Sequence, residues 1–124
     1  MKQRLSVIVA QSDVTSATQM ALALHNHCRT VYVAETPEQV RRAVPKQRAD
    51  VVIADLELLS LEEVEQLHHD YGDIAIVTTH RVADEEMWTR SLQAGAVDCC
   101  YPQDVPAVIG PAVFHLTPVR PRAA

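Results

Sequence analysis

Apolar runs of strand length recur along the chain at Leu5–Ala10, Thr30–Ala34, Val51–Ala54, Ile74–Val77 and Val97–Tyr101, each separated from the next by a segment of helix length. The runs are rich in β-branched residues, which suit pleated, half-buried backbone. Strands alternating with helices predict a parallel sheet covered on both faces. Val51-Val52-Ile53-Ala54 and Ile74-Ala75-Ile76-Val77 are continuously apolar, as central strands buried on both sides should be. Thr30-Val31-Tyr32-Val33 mixes polar and apolar positions, as an edge strand does.

The helices between them carry their own punctuation. The first should bury Ala17, Met20, Ala21 and Leu24. Thr36-Pro37 followed by Gln39 places an N-cap, a proline at the first helical position and a reciprocal cap three residues on, with Val40, Ala43 and Val44 as the buried stripe. Ser60 and Glu63 form a capping box ahead of a face made of Leu61, Val64 and Leu67. Asp84-Glu85-Glu86 puts acids at the positive end of a fourth helix, and Gly95 supplies its stop. A fifth helix starts at Asp104 and Pro106 but meets Gly110-Pro111 midway, so a kink or a short helix is expected. Beyond Leu116, Thr117-Pro118-Val119-Arg120-Pro121-Arg122 reads as an extended basic tail.

With 124 residues the chain fits one compact domain. Apolar residues at 48% and charged residues at 22% are the balance of a globular protein that folds in water. A net charge of -5, with no basic stripe interleaved with aromatics, excludes nonspecific nucleic-acid binding as a primary role. The apolar stretch after Met1-Lys2-Gln3-Arg4 is too brief to cross a membrane and lacks a signal-peptide cleavage site. Three cysteines, two of them adjacent as Cys99-Cys100, make a poor disulfide framework and suit a reducing compartment, so a cytoplasmic location is expected.

Asp55 is the best candidate for chemistry, because a carboxylate at the carboxyl end of a buried parallel strand lies where open α/β sheets present their ligand sites. Asp50, at the other end of the same run, reads as a turn residue. His25, His27 and Cys28, and His68-His69, fall near helix ends, where histidine suits the negative terminus, and their spacing is not that of a zinc site. Cys99 and Cys100 read as small apolar fillers of a strand. A flavin or nucleotide carrier would need a phosphate-cradling glycine loop after the first strand, and none of the chain's three glycines is there.

Three segments in this order, Arg48-Ala49-Asp50-Val51-Val52-Ile53-Ala54-Asp55-Leu56, Ile74-Ala75-Ile76-Val77-Thr78 and Leu92-Gln93-Ala94-Gly95-Ala96-Val97-Asp98, resemble the receiver domain of bacterial two-component response regulators. The resemblance implies a flavodoxin-like (βα)5 doubly wound parallel sheet of strand order 2-1-3-4-5. It makes residues 1–117 the receiver-like domain and 118–124 a flexible Pro/Arg tail. It also implies Asp55 as phosphoacceptor and Thr78 as the switch hydroxyl.

Phosphoryl transfer to a carboxylate needs charge neutralisation, which the resemblance implies would come from Mg²⁺ held by an acidic pair after the first strand and from a lysine after the fifth. Here the acidic pair falls on Ala10 and Gln11, or on Ser12 and Asp13 if the loop is longer, so at least one acid is lost and Asp13 is the residual acid. Tyr101, before Pro102, stands in the lysine position, and the aromatic switch position falls on Cys99 or Asp98.

The leading expectation is therefore a degenerate receiver, or pseudo-receiver, that is not an enzyme, needs no cofactor or metal, and acts through protein–protein contact. Its partner would be a sensor kinase, an output protein or a second copy in a homodimer, with no direct nucleic-acid or membrane contact. Trp88, Leu92 and Tyr101 are the candidate partner surface, with Trp88 on the outer face of the fourth helix or, equally, in the core. The alternative is a divergent phosphorylatable receiver, in which Asp55 accepts the phosphoryl group, Asp13 with water holds Mg²⁺, and Thr78 responds.

Overall fold

The computed structural model describes residues 5–105. The expected fifth helix with Gly110-Pro111, and the Pro/Arg tail, lie outside the described residues. Five strands, β1 (Leu5–Ala10), β2 (Cys28–Ala34), β3 (Val51–Asp55), β4 (Ala75–Thr79) and β5 (Asp98–Cys100), alternate with four helices, α1 (Val14–His25), α2 (Pro37–Lys46), α3 (Leu61–Asp70) and α4 (Glu85–Gln93). A single 3-10 turn over Pro102–Asp104 follows. All pairings are parallel, in the order β2-β1-β3-β4-β5. The fold is the flavodoxin-like doubly wound sheet in a single domain.

Alternation along the strands divides the core into two layers. Val7 and Val9 of β1, Val51 and Ile53 of β3, and Ala75 and Val77 of β4 face Ala17, Met20 and Leu24 of α1. Ile8, Ala10, Val52, Ala54 and Ile76 face the other way, onto Val40, Ala43 and Val44 of α2 and Val64 and Leu67 of α3. The helix faces are those expected, except that Ala21 and Leu61 stay half-buried. Strand β2 lies at one edge, as its mixed pattern implied, and begins earlier than expected, at Cys28. Strand β5 is shorter than its apolar run, because Val97 is 48% exposed and joins the sheet only through its N–H to the Ile76 carbonyl, at 2.7 Å.

Side-chain caps fix where the helices begin. Asp13, Thr36, Ser60 and Asp84 each accept a backbone N–H from the third residue of their helix, and Ser60 with Glu63 completes the capping box in both directions. The reciprocal bond from Gln39 goes to the Glu35 N–H, at 2.7 Å. At the foot of the sheet, Asp50 accepts the Ser6 N–H at 2.9 Å, and the buried Ser6 hydroxyl donates to the Gln47 carbonyl and meets Thr30 Oγ1 at 2.7 Å. Asp50, which its sequence position makes a turn residue, ties the entry of β3 to β1 and β4, its N–H donating to the Ser6 carbonyl and its carbonyl accepting the Ala75 N–H. Among the described residues no helix is long and apolar enough to cross a membrane.

Two helices end in the same hydrogen-bonded wrap but with different residues in its left-handed position. After α4, Gly95 takes φ +108°, and the Ala96 N–H returns to the Ser91 carbonyl. After α2, Arg48 takes φ +51°, and the Ala49 N–H returns to the Val44 carbonyl. A side chain with a Cβ pays a steric penalty there that glycine does not. Arg48→Gly is therefore expected to raise stability by about 0.5–1 kcal/mol, read as a higher urea midpoint with unchanged slope, whereas Gly95→Ala, whose Cβ would run into the His68 ring, is expected to lower it.

Candidate functional site

All five strands point their carboxyl ends at one edge of the sheet, and the chain reverses its strand order between β1 and β3. Asp55 and the residues after Ala10 meet at that reversal, where such sheets form their clefts. Asp55 is only 6% exposed, and a buried carboxylate must find donors. Its Oδ2 accepts two hydrogen bonds from one residue, the Ser12 N–H at 2.8 Å and the Ser12 hydroxyl at 2.7 Å. Its Oδ1 accepts the Glu57 N–H at 2.9 Å, an Asx turn that starts the β3–α3 loop. The Asp55 carbonyl accepts from the Leu58 and Leu59 N–H groups, at 2.8 and 2.9 Å, and closes the same turn.

The register of the sheet decides which threonine shares this site. Asp55 pairs with Thr79 and Ala54 with Thr78, so side chains two by two alternate between faces. Thr79 lies on the Asp55 side, where its buried hydroxyl accepts from Gln11 Nε2 at 3.1 Å. Thr78 points to the opposite face, donating to Ser91 Oγ at 2.7 Å with the Asp98 carbonyl 3.4 Å away. Thr78, the switch hydroxyl that the resemblance implies, thus turns away from Asp55 and onto α4, one residue along the strand from Thr79.

The residual acid is also engaged elsewhere. Asp13 caps α1 by accepting the Ser16 N–H at 2.9 Å, and it is exposed. Gln11 is 5% exposed and spends its amide on Thr79 and on the Ala10 carbonyl. Both readings of the degenerate pair therefore lead to the same result: Ala10 offers no ligand, Gln11 and Asp13 bind the protein itself, and Ser12 clasps Asp55. Mg²⁺ requires several oxygen ligands in near-octahedral array. The donor set does not fit it, since no second side chain joins Asp55 as a ligand while Asp13 caps α1 and Gln11 bonds Thr79, and no group of three or more acidic, histidine or cysteine side chains among the described residues could hold a metal.

Tyr101 lies in the position after β5 where the resemblance implies a lysine. It is 39% exposed and lines a groove of about 500 Å³ with Ser16, Gln19, Met20, Arg81 and Pro102. Arg81 is held by Glu57, with Nε 2.6 Å from Oε2. Asp55 has no ion pair among the described residues. At the other side of β5, Trp88 of α4 is 44% exposed and is not a core residue; its indole N–H donates to Asp98 Oδ1 at 3.2 Å. Leu92, one turn on, is half-buried. Cys99 is buried, and Cys100, half-buried, has its thiol pushed up to about 12 by burial and then by the neighbouring Asp98 charge, so it stays protonated and unreactive at neutral pH.

No protein-family profile and no curated protein sequence matches the chain. Solved structures do. The chain is similar to the Salmonella typhimurium response regulator RcsB, with 14% identity and a TM-score of 0.82 over 99% of this chain, and it spans 64% of that protein. It is similar to a response regulator from Thermotoga maritima, with 17% identity and a TM-score of 0.81 over 92% of this chain and 98% of the other. A putative response regulator from Chloroflexus aurantiacus gives 18% identity and a TM-score of 0.80, again over 92% and 98%. At such identities the likeness establishes the fold: this chain has the architecture of response-regulator receivers.

If the donor set excludes Mg²⁺, the melting temperature should not move when the ion is added at millimolar concentration. Placing acids beside Asp55 with Gln11→Asp and Ser12→Asp, at the two residues that meet Thr79 and Asp55, should create an Mg²⁺-dependent rise, because a ligand that binds only the folded state stabilises it in proportion to the logarithm of its concentration. Calorimetric melting of both proteins checks this, and a Mg²⁺-dependent rise in the unsubstituted chain would contradict it.

Proposed function

We propose that this chain is a pseudo-receiver: a two-component signalling module that keeps the receiver architecture, has lost phosphoryl-transfer chemistry, is not an enzyme, and acts by binding another protein. The observation that carries this reading is the engagement of both Asp55 oxygens, to which a metal or an incoming phosphoryl group would have to bind, by Ser12 and the Glu57 N–H. An anionic phosphoryl group approaching an anionic carboxylate needs positive charge, and the lysine position holds the neutral phenol of Tyr101.

The same reading places partner contact on α4 and β5. Trp88 offers a large apolar ring to solvent beside the half-buried Leu92 and the exposed Val97. Exposed tryptophan is enriched among residues that dominate binding energy. Two side-chain bonds, Thr78 to Ser91 and Trp88 to Asp98, hold α4 against the sheet in one position, which suits a preformed docking surface more than a switched one. The partner is a kinase, an output protein or a second copy of the chain.

The second reading, a divergent phosphorylatable receiver, is favoured by one observation: Asp55 lies at the strand-order reversal with the Thr79 hydroxyl in register beside it. Incubation with Mg²⁺ and acetyl phosphate followed by intact mass separates the two. The pseudo-receiver reading expects an unchanged mass, the same as for Asp55→Asn. A phosphate adduct that disappears in Asp55→Asn would establish the phosphorylatable receiver instead.

A further inference from the structure

At the opposite edge of the sheet from β5, a groove of about 280 Å³ runs between β2 and α2, lined by Tyr32, Gln39, Arg42, Ala43, Lys46 and Gln47. Its floor is the half-buried Tyr32 ring. Arg42 and Lys46 are four residues apart on α2, so they rise from the same side of the helix. Both are exposed, and neither makes an ion pair among the described residues. Their neighbour Arg41 is different, since it is paired with Asp70 of α3 at 3.5 Å.

Part of the groove's remaining polar lining is engaged within the protein. Gln39 accepts the Glu35 N–H, and the Gln47 carbonyl accepts the Ser6 hydroxyl. Two cations therefore remain for a ligand, above an aromatic surface. Glu38, which borders a shallow depression with Arg41 and Arg42, is the acid on this side of α2, and it forms no ion pair with Arg42. Strand β2 pairs with β1 alone, so among the described residues its outer backbone is open to a further strand.

We propose that this groove docks an acidic, extended peptide segment of a partner protein, whose backbone adds to the β2 edge while its carboxylates reach Arg42 and Lys46 and an apolar side chain covers Tyr32. Such strand addition takes affinity from main-chain hydrogen bonds and selectivity from alternate side chains. Nucleic acid is the poorer occupant, because two cations neutralise only two phosphates and a phosphodiester backbone cannot supply the amide N–H groups that pair with a strand edge. This surface is separate from the α4–β5 face, so it stands or falls independently of it.

The test is a titration of the isotope-labelled full chain with a short peptide of alternating glutamate and valine, followed by backbone amide shifts. Saturable shifts confined to β2 and α2 are expected, together with at least about tenfold weaker binding for Arg42→Glu/Lys46→Glu, since charge-assisted contacts are among the strong ones. Both residues are exposed, so the fold should survive; the milder Arg42→Gln/Lys46→Gln carries the same test and should also weaken binding. Absence of shifts, equal binding by the variants, equal shifts from a lysine–valine peptide, or shifts produced by single-stranded DNA but not by the glutamate peptide would each overturn the proposal.

Discussion

A carboxylate taken out of water has to be satisfied by something, and which group satisfies it decides what the site can do. In this fold the strand ends gather Asp55, Gln11, Ser12 and Thr79 at one edge. Asp55 finds its donors within the protein: two from Ser12 reach Oδ2 and one from Glu57 reaches Oδ1. Hydrogen bonds to a charged group contribute roughly 1.5–3 kcal/mol each to stability, and an abandoned buried partner costs a comparable amount. The clasp ties the β1–α1 loop to the end of β3, so the acid that defines the site also joins the two halves of the sheet where the strand order reverses.

From that constraint the neighbouring roles follow. With Ser12 on Asp55, Asp13 is free to cap α1, and Gln11 can turn inward to Thr79. With no metal ligand required at Ala10, that position serves the core layer under α2 and α3. On the far side of β4, Thr78 and Ser91 form a buried hydroxyl pair that seats α4. The two threonines at the end of β4 thus divide between the carboxylate site and the helix that carries Trp88, through the alternation of strand side chains alone.

Most of the architecture was legible because each element states itself locally. Ser60 with Glu63, Thr36-Pro37, Asp84 and Gly95 all act at the helix ends where their residue types belong, and the continuous runs of β3 and β4 lie at the centre of the sheet. The site was legible only in part. Asp55 is where its strand predicts, but Thr79 and Gln11 were missed because their partnership depends on the register between separate strands. Counting by twos from Val77 would have found Thr79. The clasp from Ser12 carries no comparable signal: a serine after a strand is common, and only the folded loop brings its N–H and hydroxyl to one oxygen. Arg48, in a left-handed conformation with no glycine to announce it, was illegible for the same kind of reason.

Ser12 and Asp55 act energetically as one unit, which a double-mutant cycle measures. Unfolding free energies of the unsubstituted chain, Ser12→Ala, Asp55→Asn and the double variant should give a coupling of about 1 kcal/mol or more, since residues that share a buried hydrogen bond are not additive. Simple additivity, with the Ser12→Ala effect unchanged in the Asp55→Asn background, would contradict the account.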